Sequence, residues 1–307
     1  MSSTDPSKTA AFPKETTASG AFRRQASRFR NWVRADGSSD FPAEAGRYHL
    51  YVSYACPWAH RAIIARELKH LTGVIGMTVV DPLRDERGWA FRDEPDPLNG
   101  FEFLAEAYAK SDPTFDGRVT VPVLWDKQQG VIVNNESSEI IRMLNSEFGE
   151  WSQGTTDWYP EVLREELDAL NERVYDTINN GVYRAGFATT QAAYEEAVTP
   201  LFESLHWLEE RLADRRFLFG DSYTEADWRL FTTLIRFDPV YHGHFKCNLR
   251  RLIDFPNLWR YVRELYHQPG VAGTVDFDHI KRHYYVTHRA INPTGVVPLG
   301  PELDLSL

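Results

Sequence analysis

Cys56 is followed at once by Pro57, and the dipeptide sits where one sequence pattern ends and another begins. Upstream, Tyr48, Leu50, Val52 and Tyr54 share one parity and mix aromatic with β-branched types, which predicts a strand over residues 47–54. Downstream, Ala62, Ile63, Arg66, Glu67 and His70 continue in a helical register. Pro57 fits the first turn of that helix, where the N–H it lacks would have had no intrahelical partner. A cysteine at a helix N-terminus meets unpaired backbone N–H groups and the positive end of the macrodipole, both of which favour the thiolate, the nucleophilic form. The alternative is a small buried hydrophobe that merely precedes a helix, since free cysteine is among the most buried residue types. The other cysteine, Cys247 in Lys246-Cys247-Asn248, has no helix start beside it.

The elements that must hold Cys56 in place can be followed along the chain. Residues 74–80 form a second β-rich run, so strand, helix and strand make a unit of about thirty residues, expected to be parallel and right-handed. This is the strand, Cys-Pro, helix arrangement of the thioredoxin superfamily, except that the position three after Cys56 is Ala59. With no neighbouring thiol to resolve a mixed disulfide, a soluble thiol must do so, and glutathione is the usual one. Residues 82–115 interrupt with charges and prolines, and with a short helical candidate at 101–110. Trp89 lies in this insertion, either anchoring it to the core or touching a ligand. Residues 120–125 and 131–133 read as an antiparallel, hairpin-like pair, with Pro122 at a strand start or edge and its bond to Val121 a candidate cis peptide. A helix begins near Glu136.

Beyond Gly149 the β signal fades into helices over 161–179, 192–214, 225–237 and 258–267, which predicts an all-α second domain. Thr224 and Asp227 have the spacing of a capping box, with Asp in place of Glu or Gln. The tail from His279 reads as a short helix followed by extended chain. The expected divisions are an N-terminal arm over 1–40, partly disordered, a first domain over 41–149, a helical domain over 150–285 and an extended tail over 286–307.

A chain of 307 residues suits two domains. Its net charge of -10 disfavours a nucleic-acid partner. No apolar run approaches a membrane span, and the opening residues lack the apolar core of a secretory signal, so no membrane partner and a cytoplasmic location are expected. Two cysteines support a thiol function better than a disulfide framework, and no metal is expected. The stretch from Phe22 to Arg30 packs four arginines and two phenylalanines into nine residues, which suits a solvated, stacked surface segment or an anion site.

The order of a thioredoxin-like βαβ unit, Val121-Pro122 before a strand, Glu136-Ser137 opening a helix and then an all-α domain resembles the glutathione transferases over most of the chain. Three details are similar to the Xi class, the glutathionyl-hydroquinone reductases: Cys56-Pro57-Trp58-Ala59-His60-Arg61, the insertion with Trp89, and the tail His283-Tyr284-Tyr285 through Ile291-Asn292-Pro293-Thr294. Cys-Pro alone would also suit the omega class. The resemblance implies an α/β N-terminal thioredoxin-like domain plus an all-α C-terminal domain, the glutathione transferase fold, and a homodimer. It implies glutathione as co-substrate, with its γ-glutamyl end at Glu136 and Ser137, its cysteinyl part along the backbone of Val121 before Pro122, and a further contact from Trp89. It also implies that Tyr183 and Tyr284 line a pocket for aromatic glutathionyl-hydroquinones; on residue type alone either tyrosine would be ordinary core, and Tyr285 competes with Tyr284 for the role. Cys247 matches no site of the family. The activity implied is reduction of glutathionyl-hydroquinones through a Cys56–glutathione mixed disulfide. The alternatives are an omega-like thioltransferase or dehydroascorbate reductase, and a non-catalytic interaction module of the same fold.

Overall fold

A computed structural model describes residues 12–92, 94–152 and 155–307. Of the lead-in expected to be disordered, residues 1–20, residues 1–11 lie outside the described residues, whereas 12–20 are ordered: Pro13–Glu15 form a 3-10 helix, and Thr17 donates its N–H to Ala21 O at 2.9 Å. The described residues form two compact units. One takes residues up to Gln25 with Pro160–Gln268 and Ile280–Leu307; the other takes Ala26–Tyr159 with Pro269–His279. These divisions differ from the 40, 149 and 285 read from composition, because side-chain and backbone bonds attach 26–40 and 269–279 to the sheet unit.

The sheet unit is built on β1 (Tyr48–Val52), α1 (Pro57–Leu68), β2 (Gly76–Val79), α2 (Leu104–Ser111), β3 (Val123–Asp126), β4 (Val131–Asn134) and α3 (Ser137–Ser146). The strand order is β2-β1-β3-β4, with β1 and β2 parallel and the other pairs antiparallel. The expected strand over 120–125 begins only at Val123, which leaves Pro122 just outside the ladder it could not have served.

Every residue of β1 is buried, so both faces of the sheet are covered at this central strand, while β2 at the edge is only half-buried. Tyr48 packs against Phe148 beyond α3, while Tyr51, of opposite parity, packs against Phe91 and Trp125 and donates its hydroxyl to Asp96 at 2.9 Å. The charged insertion therefore covers the second face of the sheet. At the register pair His49↔Gly76, a Cβ on Gly76 would come within 2.4 Å of the imidazole, so only glycine lets that ring lie over β2.

The arm closes the edge beyond β4. Asn31 donates its N–H to Val133 O at 3.0 Å, and Asn135 donates to Phe29 O at 3.1 Å. Arg30 forks onto Glu139, and Arg28 pairs with Asp112 at 2.8 Å. An edge strand left bare is a template for unwanted pairing, and this segment blunts it with charge and backbone bonds. From the other end of the chain, Thr274 meets His60 of α1, Oγ1 to Nε2 at 2.8 Å, which ties residues 269–279 to the same unit.

The other unit is helical: α4 (Arg164–Val174), α5 (Gly181–Gly186), α6 (Gln191–Arg211), α7 (Glu225–Leu234), α8 (Pro256–Tyr266) and most of α9 (Phe277–Thr287). The helix expected over 161–179 is in three pieces, with a π-turn at Tyr175–Asn179 following α4; a second π-turn, Phe237–Tyr241, follows α7. Helix α8 buries Leu258, Tyr261, Val262 and Leu265, the i, i+3, i+4, i+7 stripe that its sequence shows. The capping box opens α7 as expected, with Thr224 N–H donating to Asp227 at 2.7 Å. Beyond α9 the tail has no regular structure, and Lys281 and Arg263 hold its carbonyls at Leu299 and Ser306. Among the described residues no helix is long and apolar enough to cross a membrane.

Candidate functional site

Cys56 is the N-cap of α1, with extended backbone (φ −83°, ψ 121°), and its carbonyl accepts the His60 N–H at 3.0 Å. Proline at the next position starts the helix without wasting a donor. The thiol is half-buried, and its Sγ lies 3.6 Å from Val121 O, on the loop that enters β3. The Val121–Pro122 bond is cis.

A second group of residues gathers at the start of α3. Glu136 caps the helix, its carboxylate accepting from Ser138 N–H at 3.2 Å, from Ser138 Oγ at 3.0 Å and from Ser27 Oγ at 3.0 Å. Ser137 is buried, and its Oγ accepts from Arg61 Nη1 of α1 at 3.3 Å. The Arg61 guanidinium stacks over Trp58, 4.5 Å from the ring centroid. Tyr108 fixes the two loops relative to each other: its hydroxyl donates to Thr120 O at 2.8 Å and accepts from Asn135 Nδ2 at 3.1 Å. A helix N-terminus with a buried hydroxyl, a guanidinium and a carboxylate beside it can answer both charges of an amino-acid zwitterion.

In the helical unit, three phenols meet. Tyr183 and Tyr284 share a hydrogen bond of 2.5 Å between their hydroxyls, and the hydroxyl of Tyr241 lies 3.2 Å from that of Tyr284. Tyr285, next along α9, turns away and donates to Pro239 O at 3.2 Å. Burial pushes Tyr284 and Tyr241 well above the ordinary phenol range, so both stay protonated and act as donors. Arg24 lies over the ring of Tyr183, 4.8 Å from its centroid, and its Nε donates to Asn180 Oδ1 at 3.0 Å.

The family description "Glutathione S-transferase, N-terminal domain" matches residues 55–147, and "Glutathione S-transferase, C-terminal domain" matches residues 191–264. The chain is 53% identical over 297 residues to glutathionyl-hydroquinone reductase YqjG of Escherichia coli, covering 93% of this chain and 90% of that one. The glutathione-bound structure of YqjG superposes with a TM-score of 0.88, covering 90% of this chain and 94% of that chain at 53% identity. The glutathione transferase Xi of Phanerochaete chrysosporium gives a TM-score of 0.88 at 53% identity, covering 91% of this chain and 97% of its own. The chain belongs to the Xi class of glutathione transferases.

In this Xi-class transferase, the sheet unit brings Cys56, Val121, Pro122, Glu136 and Ser137 together from loops and helix starts around one end of the sheet, and the helical unit brings Tyr183 to Tyr284. Trp89 is 4% exposed, and its carbonyl accepts the Leu104 N–H that opens α2, which gives it the loop-anchoring part of its expected role. Sequence reasoning left three residues of these groups unassigned: Arg61, Arg24 and Tyr241. Arg61 stands inside the Cys-Pro-Trp-Ala-His-Arg motif, but only packing of α1 on α3 reveals its partner. Cys247 is fully buried, with Phe245 O at 3.8 Å, and burial pushes its thiol far above the ordinary range. It is an inert core thiol.

Proposed function

We propose that this Xi-class transferase reduces glutathionyl-hydroquinones to hydroquinones at the expense of glutathione. The Cys56 thiolate attacks the glutathione sulfur of the substrate; the sulfur–carbon bond breaks, its electron pair leaving with the carbon, and Cys56 becomes disulfide-bonded to glutathione. If the substrate first shifts to its keto tautomer, those electrons form an enolate, which is the hydroquinone oxyanion and takes up one proton. A second glutathione, as thiolate, then attacks the mixed disulfide and releases glutathione disulfide, regenerating the Cys56 thiolate. Two glutathionyl sulfurs are oxidised to one disulfide while the ring carbon gains hydrogen, so the electrons balance.

The observation that carries the reading is the half-exposed lone thiol at the start of α1, with Ala59 where a resolving cysteine would stand. The place of glutathione is part of the proposal. Its γ-glutamyl carboxylate takes the α3 N-terminus and Ser137, its ammonium takes Glu136, its cysteinyl backbone pairs with Val121 before Pro122, and Trp89 adds a contact. Tyr183 and Tyr284 hydrogen-bond to the developing oxyanion. The meeting of the two hydroxyls supports this assignment, since phenols that turn from each other to the substrate can both donate to an aryl oxyanion, while they add little to a thiolate leaving group. A cytoplasmic homodimer belongs to the same proposal, and analytical ultracentrifugation tests its stoichiometry.

The deciding experiment follows hydroquinone and glutathione disulfide together by chromatography, with intact-mass analysis of the protein after treatment with substrate alone. Equimolar products and one glutathione on Cys56 are expected. An adduct on Cys247, or turnover retained by Cys56→Ser, would refute the proposal.

A further inference from the structure

The arm that closes the sheet edge runs past the end of β4 and reaches the start of α3. Arg30 and Asn134 bridge in antiparallel register; Asn31 N–H reaches Val133 O at 3.0 Å on one side of them, and Asn135 N–H reaches Phe29 O at 3.1 Å on the other. Phe29 gives its own N–H to Asn135 Oδ1 at 3.2 Å, and its ring packs on Tyr108 and Phe115, with centroids 5.5 and 5.8 Å apart. In antiparallel pairing the two segments are numbered in opposite directions, so the residues before Phe29 lie along those after Asn135. Side chains alternate along a paired segment. Arg28 and Arg30 take Asp112 and Glu139, while Ser27, on the parity of Phe29, comes to Glu136.

A carboxylate offers about four acceptor sites, two on each oxygen. On Glu136 the N–H and the hydroxyl of Ser138 both go to Oε1, at 3.2 and 3.0 Å, and the Ser27 hydroxyl goes to Oε2 at 3.0 Å. Among the described residues these are its donors, so the remaining site is on Oε2, beside Ser27. Ser27 has one proton to give. Its second acceptor, Asn135 O, is neutral and farther away at 3.4 Å, so the charged oxygen holds the proton. Both side chains are half-buried, which leaves the carboxylate within reach of a ligand. Glutamate is longer than the usual N-cap residues and brings more rotamer freedom, so the bonds from Ser138 fix one oxygen and the bond from Ser27 fixes the other.

We infer that Ser27 is a positioning residue of the glutathione site: from the arm it holds Glu136 Oε2 in place for the ammonium of the γ-glutamyl group, so that the carboxylate is already ordered when the ligand arrives. The inference rests on Glu136 being the ammonium partner. It goes beyond that reading in making the arm, 109 positions away in sequence, part of the binding site.

The test is titration calorimetry in the Cys56→Ser background with two probes: reduced glutathione, and its analogue with glutaryl in place of γ-glutamyl, which keeps the carboxylate and lacks the ammonium. Ser27→Ala is expected to weaken glutathione by about 3- to 10-fold, the cost of ordering one side chain on binding, and to leave the affinity for the analogue as it was. Ser27→Thr keeps a hydroxyl and should bind both probes as the parent does. Because Ser27 acts through Glu136, adding Ser27→Ala to Glu136→Gln should cost less than about twofold further. Selective loss of glutathione in Glu136→Gln, with Ser27→Ala binding glutathione as tightly as the parent or more tightly, would overturn the inference and leave the ammonium assignment standing. Equal losses on both probes in Ser27→Ala, or a loss that adds in full to that of Glu136→Gln, would make Ser27 a structural tie of the arm and overturn it too. No selective loss in Glu136→Gln would remove the ammonium assignment and the inference together.

Discussion

Replacing Ser137 by alanine separates ligand binding from folding, because the structure limits what the change can do to the free protein. The hydroxyl accepts one hydrogen bond, from Arg61 Nη1 at 3.3 Å, near the long end of the useful range. Its loss should cost the fold only about 1 kcal/mol. Since that bond uses an acceptor lone pair, the hydroxyl proton is left to donate to a ligand carboxylate. A charge-assisted bond of that kind contributes about 1.5–3 kcal/mol, and the α3 N-terminus and Arg61 remain to hold the carboxylate, so the lower end applies and glutathione affinity should fall about tenfold. Glu136 is different, because its carboxylate also caps α3. Glu136→Ala should lose about 1 kcal/mol of stability through the missing cap as well as the ammonium partner, whereas Glu136→Gln keeps an acceptor for the cap and loses the charge. Titration calorimetry with reduced glutathione, run in a Cys56→Ser background to prevent covalent capture, gives the affinities, and urea unfolding gives the stabilities. Affinity within about twofold of the parent for both Ser137→Ala and Glu136→Gln, with the folds intact, would remove this end of α3 from the glutathione site.

Cys56→Ser and Cys56→Ala should abolish reduction equally, since a neutral serine hydroxyl is no substitute for a thiolate, while Cys247→Ser should leave turnover intact and glutathione-dependent; an internal disulfide by mass spectrometry would contradict both. Tyr183→Phe should slow thioether cleavage by a factor approaching 10²–10³, the usual cost of an oxyanion donor, with disulfide turnover within a few-fold of wild type; equal losses would place the tyrosine in the fold or the glutathione site. Burial pushes His244, 3.2 Å from His288 and packed on Tyr285, down to about 4 from its ordinary 6.5. The unfolded chain therefore binds this proton first, and stability should fall as pH drops through that window, by on the order of 3 kcal/mol from this group; an unchanged acid slope in His244→Phe would contradict it. In Gly186→Ala the new Cβ would lie 2.1 Å from Phe245 Cγ, so the variant should unfold at clearly lower urea concentration; a wild-type midpoint would show that the ring can step aside.

What was legible in the sequence is what neighbouring residues decide among themselves. The strand ending before Cys56, the proline that starts α1, the helix opened by Glu136 and the Thr224–Asp227 box all depend on contacts within a few positions, and so leave a local pattern. The parity of Tyr48, Leu50, Val52 and Tyr54 identified the strand but not that the opposite face was covered too, because the insertion that covers it looks like a polar loop. The arginine-rich arm gave no hint that it would run along β4, since its partners Val133 and Asn135 lie about a hundred residues away. Tertiary structure alone joined Arg61 to Ser137 across 76 positions, His60 to Thr274 across 214 and Tyr183 to Tyr284 across 101. It also separated Tyr284 from Tyr285: successive residues of a helix point about 100° apart, so one hydroxyl joins the other phenols and the other finds a backbone carbonyl. Periodicity states which residues share a face of an element, but which side chain meets which across the molecule depends on how those faces pack, and no residue's neighbours in sequence encode that.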